Sequence, residues 1–235
     1  MKSTDATRVA FVSDIHSNLE ALAAVLDEVG KQRVYCAGDI VGYGASPNDV
    51  VRLLREVGAT CVIGNHDRAA LDGDVGDFNP RAAMAALWTS EHLSEESREF
   101  LGMLPREVST TIGGRRVYMT HGSPDDPMWE YVRPSTHSDL FDYYLQKVDA
   151  DVMALGHTHM SFLWRSDTGG LVFNPGSVGQ PRDGDTRASF AMLSVSGGEV
   201  EVEIRHVKYD NDKAAKKVLE SGLPHSLASQ LLSGQ

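Results

Sequence analysis

Residues 38–44 read Gly38-Asp39-Ile40-Val41-Gly42-Tyr43-Gly44 and directly follow the apolar run Val34-Tyr35-Cys36-Ala37. A short apolar run of this kind predicts a buried strand. Gly38 would let the chain turn at the strand end, so that Asp39 projects from the carboxyl edge of a sheet. Open α/β sheets bind their ligands at that edge. A single aspartate there more often caps a turn, so its meaning depends on the rest of the chain.

The chain has 235 residues, of which 41% are hydrophobic, and a formal net charge of -11. This length suits one large domain or two small ones. The acidic balance disfavours long nucleic acid as a partner. Residues 1–8 are polar and no apolar stretch is long enough to cross a bilayer, so we expect a cytoplasmic protein without a membrane partner. Cys36 and Cys61 each lie in an apolar run, which predicts buried, reduced thiols.

The first third of the chain alternates strands and helices. Strands are predicted at Arg8–Ser13, Val34–Ala37 and Thr60–Ile63. A capping box at Ser17–Glu20 opens the first helix, and Ser46 followed by proline opens the second. This alternation predicts a parallel βαβ sheet.

The second half of the chain switches to hairpins. Val108–Ile112 and Arg115–Thr120 flank a Gly-Gly pair, and two further hairpins are predicted across residues 161–173 and 187–207. We therefore expect a single domain over residues 1–235 that contains two sheets. Residues 80–103 are predicted to be helical, either as a cap over a site or as a cover for the sheet. Residues 211–235 are predicted to form a C-terminal helical tail.

Seven oxygen and imidazole donors lie at or just past predicted strand ends. They are Asp14, His16, Asp39, Asn65, His121, His157 and His159. The Asp-x-His and His-x-His spacings point both members of each pair the same way. A donor set without thiolate suits manganese, iron, zinc, nickel or cobalt. Seven ligands overfill one ion, so we expect two metals ~3.5–4 Å apart, bridged by Asp39 with one metal on each carboxylate oxygen.

Charge and neighbouring residues indicate what such a site would do. Two divalent ions, two aspartates and one hydroxide leave a charge of about +1, which favours an anionic substrate. A hydroxide shared by the metals is the predicted nucleophile. His66 is the predicted general acid, with Asp67 orienting its ring; a purely structural role for His66 is the alternative. Predicted substrate contacts are Asn18, Tyr43, Arg68 and Arg182, although Arg182 could equally form a surface ion pair.

Five motifs occur together and in a fixed order. They are Asp14/His16, Gly38-Asp39, Gly64-Asn65-His66-Asp67, His121-Gly122 and Gly156-His157-Thr158-His159. Their order resembles the calcineurin-like metallophosphoesterase superfamily over residues 8 to about 195. The compact length, residues 38–44 and Asn174-Pro175-Gly176-Ser177 resemble the small bacterial and archaeal phosphodiesterase branch.

The resemblance implies a fold and a ligand set. The fold is α/β (α+β), a four-layer αββα sandwich of two mixed β-sheets flanked by helices. One metal would be held by Asp14, His16, Asp39 and His159, and the other by Asp39, Asn65, His121 and His157. The implied cofactors are two divalent metal ions, with Mn²⁺ first and Fe, Zn, Ni, Co or Mg as alternatives.

The resemblance also implies a function, and several alternatives stay open. A dinuclear-metal-dependent phosphoesterase is expected, a phosphodiesterase that hydrolyses a small phosphorylated substrate. A phosphomonoesterase, a protein phosphatase or a dinucleoside polyphosphate hydrolase could use the same site. A non-enzymatic scaffold similar to a retromer subunit is the alternative from another class, but that subunit departs at the position of His66. Assembly into a homo-oligomer stays open.

Overall fold

The computed structural model describes residues 6–235, so part of the polar segment at residues 1–8 lies outside the described residues. In chain order the strands are β1 (Thr7–Val12), β2 (Arg33–Cys36), β3 (Thr60–Cys61), β4 (Glu107–Ile112), β5 (Arg115–Thr120), β6 (Val152–Ala154), β7 (Phe162–Arg165), β8 (Leu171–Asn174), β9 (Ala188–Ser196) and β10 (Glu199–Val207). The helices are α1 (Leu19–Val29), α2 (Pro47–Glu56), α3 (Asn65–Asp72), α4 (Pro80–His92), α5 (Glu95–Gly102), α6 (Ser138–Lys147), α7 (Asn211–Glu220) and α8 (His225–Ser233). None of the helices within residues 6–235 has the length and apolar character to cross a membrane.

The first sheet has the strand order β10-β9-β1-β2-β3. β1, β2 and β3 run parallel, with Val12 opposite Cys36 and Cys36 opposite Cys61. This register aligns the carboxyl ends of the three strands, so the loops that carry Asp14, Asp39 and Asn65 leave the sheet side by side. The parallel βαβ prediction is therefore confirmed, although β3 is shorter than the predicted strand.

The second sheet has the strand order β4-β5-β6-β8-β7. β4 and β5 form the predicted hairpin, with Ile112 opposite Arg115 across the Gly-Gly turn. β5, β6 and β8 are parallel, and Met119, Ala154 and Phe173 lie in one row. This row brings the chain just after β5 and β6 to the same edge, which is where His121 and His157 lie.

The two sheets pack face to face, and alternation along the strands decides which side chains meet. Val9 and Phe11 of β1 face the second sheet, where the rings of Phe11 and Phe173 meet edge-on with centroids 5.2 Å apart. Ala10 and Val12 face α1 and α2 on the outer side. Tyr118 and Met153 of the second sheet face α6. These layers confirm the αββα sandwich.

The first helix does not begin at the predicted capping box. The side chain of Asn18, not of Ser17, accepts the capping hydrogen bond, from the backbone N–H of Ala21. Ser17 cannot act as the cap because its backbone has φ 55° and its N–H donates to the carbonyl of Ile40. The turn at Ser17 belongs to the loop that carries the candidate site.

Residues 80–103 form α4 and α5, and most of this segment packs instead of covering the cleft. Ala82 and Ala85 of α4 share an apolar cluster with Tyr43 and with the C-terminal helices α7 and α8. Within the segment Ala82 borders the cleft described below, as does Asn79 just before it. Because the tail and α4 share one cluster with a residue of the site, we propose that residues 1–235 form a single domain.

Candidate metal centre

The seven predicted ligands come together at the shared edge of the two sheets, and all are at most 4% exposed. We call Asp14, His16, Asp39, Asn65, His121, His157 and His159 the buried polar cluster. Five of its members have a left-handed backbone: Asp14 (φ 52°), His16 (φ 48°), Asp39 (φ 53°), His157 (φ 69°) and His159 (φ 59°). Each residue in that conformation carries strain of order 1 kcal/mol or more. The strain is offset in part by buried backbone hydrogen bonds, from Asp14 to Gly38 and from His16 to Asp39.

Gly38 shows why the motif requires glycine before Asp39. Its φ is 89°, and a Cβ atom there would lie 2.8 Å from Nδ1 of His121. A side chain at position 38 would therefore push His121 away from Asp39. The glycine lets two loops from different sheets approach each other closely.

The first group of donors contains Asp14, His16, Asp39 and His159, whose donor atoms all lie within 4.8 Å of one another. Oδ1 of Asp14 is 3.3 Å from Nε2 of His159, and Oδ2 of Asp39 is 3.5 Å from Nε2 of His16. The facing nitrogens of His16 and His159 are 3.1 Å apart. Carboxylate oxygens and imidazole nitrogens thus converge on one point.

The second group contains Asp39, His121 and His157, again within 4.8 Å, with Asn65 beside it. Nε2 of His121 lies 3.3 Å from Oδ2 of Asp39 and 3.1 Å from Oδ1 of Asn65. The same oxygen of Asp39 therefore faces both groups. Its other oxygen, Oδ1, accepts the backbone N–H of His66 at 2.9 Å. One metal on each oxygen of Asp39 stays a prediction, and these distances favour Oδ2 as the atom that faces both groups.

Each histidine of the cluster is held by one ring nitrogen against a backbone carbonyl. The contacts are His16 Nδ1 to Val41 (3.1 Å), His121 Nδ1 to Ala37 (2.8 Å), His159 Nδ1 to Gln180 (2.5 Å) and His157 Nε2 to Trp129 (3.2 Å). A carbonyl only accepts hydrogen bonds, so the contacting nitrogen carries a proton, and in the neutral ring the other nitrogen presents a lone pair. This arrangement is typical of metal-binding histidines.

Two buried carboxylate oxygens of the cluster have no hydrogen-bond partner among the described residues: Oδ1 of Asp14 and Oδ2 of Asp39. A buried anionic oxygen without a partner is costly. These are the two oxygens that face the histidine lone pairs. The donor set therefore fits divalent cations.

Without a cation, protons balance the buried charge. Burial alone would lower the pKa of His121, but Asp39 outweighs it and raises the pKa to about 9. Burial would raise the pKa of Asp39, yet His121 and His66 hold it well below its usual value. Burial raises the pKa of Asp14 to about 7. A divalent cation would replace these protons as the balancing charge.

Asp67 does not orient the ring of His66, and that expectation is corrected. Oδ1 of Asp67 accepts the backbone N–H of Val41 at 2.8 Å, and Oδ2 accepts that of Gly64 at 2.9 Å. In this contact Asp67, the third residue of α3, accepts the backbone N–H of the N-cap Gly64, which is the only half of a capping box that a glycine N-cap allows. Asp67 stands three positions after Gly64, and this spacing in the sequence could have predicted the contact.

The ring of His66 is held by other rings. Its centroid lies 4.4 Å from that of Tyr43, and 4.7 Å from that of Phe78 in an edge-on contact. Nδ1 is buried beside Gly42, where a Cβ atom would lie 2.7 Å away, and has no hydrogen-bond partner within residues 6–235. Burial lowers the pKa of His66 to about 4 in the absence of cations. Nε2 is therefore the nitrogen that can exchange a proton with the cleft.

The four predicted substrate contacts divide into two pairs. Tyr43 and Arg182 line the cleft above the cluster, and Nη2 of Arg182 lies 3.4 Å from the hydroxyl of Tyr43. The amide group of Asn18 caps α1 and donates to Gly179 and Tyr209. Arg68 is exposed and pairs with Asp72 at 2.6 Å. Asn18 and Arg68 therefore do not line the cleft.

The cleft has a volume of about 120 Å³ and includes residues that the sequence did not indicate. We call Phe78, Trp129 and Tyr131 the aromatic rim. They lie in loops before α4 and after β5, outside every motif. No periodic or spacing signal marks them, because only the fold brings these two loops to the cluster.

Comparisons with known proteins agree with this geometry. The family described as the calcineurin-like phosphoesterase superfamily domain matches residues 7–198. The chain is 38% identical over 247 residues to an uncharacterized protein of Methanocaldococcus jannaschii, covering 97% of this chain and 98% of that protein. A metallophosphoesterase from Sphaerobacter thermophilus is 34% identical with a TM-score of 0.83, covering 98% of this chain and 100% of that one.

A hypothetical protein from Pyrococcus horikoshii OT3 has a TM-score of 0.86 at 22% identity, covering 97% of this chain and 98% of that one. At this identity the likeness shows the fold alone. The bacterial and archaeal relatives fit the predicted small branch, and metallophosphoesterases are phosphoester hydrolases that typically bind divalent metals. The family match spans well over half of the chain, so this protein belongs to the calcineurin-like phosphoesterase superfamily.

Proposed function

We propose that this protein is a dinuclear-metal-dependent phosphodiesterase that hydrolyses a small phosphoester. The observation that carries the proposal is the unpartnered Oδ2 of Asp39, which faces His16 of one donor group and His121 of the other. One oxygen placed between two sets of imidazole nitrogens is suited to bridge two cations. A single ion would leave one of the two groups uncompensated.

The two donor groups support the ligand assignment that the family resemblance implies. Asp14, His16, Asp39 and His159 would hold one cation, and Asp39, Asn65, His121 and His157 the other. When bound, a pair of divalent ions lowers the pKa of a water molecule and neutralises phosphoryl oxygens. Mn²⁺ is the first candidate for an oxygen and imidazole donor set.

Arg182 and Tyr43 would receive the phosphoryl group on the cleft side. The guanidinium of Arg182 is half-buried and is braced by Oε1 of Gln180 at 3.2 Å. A fixed guanidinium can donate two parallel hydrogen bonds to phosphoryl oxygens. The chain is acidic overall, so the positive charge of Arg182 would attract small anions to the cleft and not to the rest of the surface.

His66 would protonate the leaving oxygen through Nε2. Its ring lines the cleft and is fixed between Tyr43 and Phe78, so its direction is set by packing. A positioned imidazole of this kind contributes most when the leaving group is a poorly stabilised alkoxide. The presence of His66 and of all seven ligands also argues against a scaffold. A cytoplasmic location and self-association stay predictions.

The deciding experiment uses metal-stripped protein that is re-supplied with manganese. Hydrolysis of bis-p-nitrophenyl phosphate and of p-nitrophenyl phosphate would be measured side by side, with the stripped protein as the control. Metal-dependent cleavage that is faster for the diester supports the proposal. Faster cleavage of the monoester points to a phosphatase instead. No turnover of either ester, with two metals bound per chain, contradicts the proposal and points to a scaffold or to a very selective enzyme.

A further inference from the structure

The aromatic rim borders the cleft directly beside the groups that would handle phosphate. The ring of Phe78 lies 4.7 Å from that of His66, and the rings of Phe78 and Trp129 meet edge-on at 5.5 Å. Both Phe78 and Trp129 are only half-buried. Large aromatic side chains that stay partly exposed at a cleft are suited to an apolar, flat part of a ligand.

The loop that carries Trp129 is anchored, so this side of the rim is held in place before a ligand binds. The carboxylate of Glu130 accepts hydrogen bonds from the hydroxyl of Tyr144, at 2.9 Å, and from the hydroxyl of Ser123. The carbonyl of Trp129 holds the ring of His157. The same loop therefore fixes a cluster histidine and presents an indole to the cleft.

Only part of the rim is available for stacking. The ring of Tyr131 lies 3.9 Å from the ring of His157 and almost parallel to it, and Arg133 lies over Tyr131 at 4.8 Å. Tyr131 thus supports His157. Phe78 and Trp129 are left as the rings that can contact a substrate.

We propose that Phe78 and Trp129 bind the base of a nucleotide whose phosphodiester lies at the buried polar cluster, with the base stacked on the face of one ring and against the edge of the other. Nucleotides are the class of biological phosphodiester that carries a flat aromatic group close to the phosphate. Stacking on an aromatic side chain is worth about 1–3 kcal/mol per base. The net charge of -11 disfavours a long polymer, so the substrate is a small nucleotide. This inference rests on the proposed function for the placement of the phosphoryl group.

The test compares adenosine 5′-monophosphate with ribose 5-phosphate, which has the same sugar phosphate without the base. Their binding to zinc-loaded protein would be measured by titration calorimetry, without turnover. We expect the nucleotide to bind about 10- to 100-fold more tightly. Trp129→Leu should reduce this ratio to within about threefold, and Phe78→Leu should lower it as well.

Trp164→Leu is the matched control, because Trp164 packs against Phe141 away from the cleft. It should keep the wild-type ratio. The zinc content of each variant would confirm that the cluster is intact. Equal binding of the two ligands, or a ratio that Trp129→Leu leaves unchanged, would overturn the inference. A preserved ratio without any diester hydrolysis would instead overturn the proposed function, so the two failures are distinguishable.

Discussion

The buried polar cluster and the aromatic rim meet in one cleft but are built differently. The cluster lies at the ends of parallel strands, its residues are at most 4% exposed, and backbone carbonyls fix each of its histidines. The rim lies on loops, and Tyr131 is 45% exposed. Charge must be placed accurately and kept from water, whereas contact with a flat apolar group tolerates exposure and variation.

Asp39→Asn removes the negative charge of the carboxylate whose Oδ2 faces both donor groups, and it should have the largest effect. Loss of the negative charge facing both donor groups should release both metals and lower kcat/KM by about 10³-fold or more. Metal content by mass spectrometry and hydrolysis of bis-p-nitrophenyl phosphate measure this. The rim should be unaffected, so the tryptophan emission should match that of the metal-free wild type. Asp27→Asn, at an exposed site on α1, is the control. Full metal occupancy in Asp39→Asn would contradict a bridging role.

His66 contacts both the aromatic rim and the buried polar cluster, so His66→Gln tests a residue that joins the two regions. Its ring contacts Phe78 of the rim, while its backbone N–H binds Asp39 of the cluster. The variant should keep its metals and lose about 10²- to 10⁴-fold in rate for alkoxide leaving groups, but less than about tenfold for nitrophenolate. A series of diesters whose leaving alcohols rise in pKa measures this, with the exposed His92→Gln as control. Equal slowing across the series would show that His66 is not the acid.

The sequence predicted the cluster because its signals are local. Each ligand follows a strand within a few residues, and the register of Val12, Cys36 and Cys61 then places three of those strand ends together. The period of two in Asp14/His16 predicted that both donors point to one place, and both lie in the first donor group. The same spacing failed for His157 and His159, which lie in different groups, because the backbone there is left-handed and not extended. The fold followed from the same alternation of strands and helices.

The rim and the details around His66 could not be predicted in this way. Phe78 and Trp129 are 51 positions apart in the chain and meet only after both sheets have formed. The role of Asp67 was misjudged because adjacency in sequence suggested a contact with His66. In a helix, neighbouring side chains point in different directions. An acid at the third helical position binds the backbone N–H of the residue that precedes the helix.

Asp67→Asn separates these two roles of Asp67. The carboxylate accepts two backbone N–H groups, and an asparagine amide can accept only one of them. We expect a loss of about 1–3 kcal/mol and a fall in Tm of about 3–10 °C. The dependence on the leaving group should stay that of the wild type. Asp74→Asn is the control, since Asp74 binds a backbone N–H at an exposed turn. A changed leaving-group dependence with unchanged Tm would restore Asp67 as the partner of His66.

Removing the metals tests the cluster without any substitution, and the effect on stability should depend on pH. The pKa of His121 is raised to about 9, so its proton stabilises the metal-free fold below about pH 6.5 and this stabilisation is lost as the pH rises through 9. The raised pKa of Asp14, about 7, acts in the same direction at lower pH. Between pH 6.5 and pH 9 we therefore expect the Tm of metal-free protein to fall by about 5 °C.

The metal-loaded protein is the control for that titration, since it has the same surface charges but holds cations where the metal-free cluster holds protons. Its Tm should change little over the same range, and metal affinity should rise with pH because binding displaces protons. Differential scanning calorimetry of both forms at matched ionic strength measures the difference. Parallel curves for the two forms would show that cations and protons do not compete at the cluster. The balance of buried charge inferred from Asp39 and His121 would then be wrong.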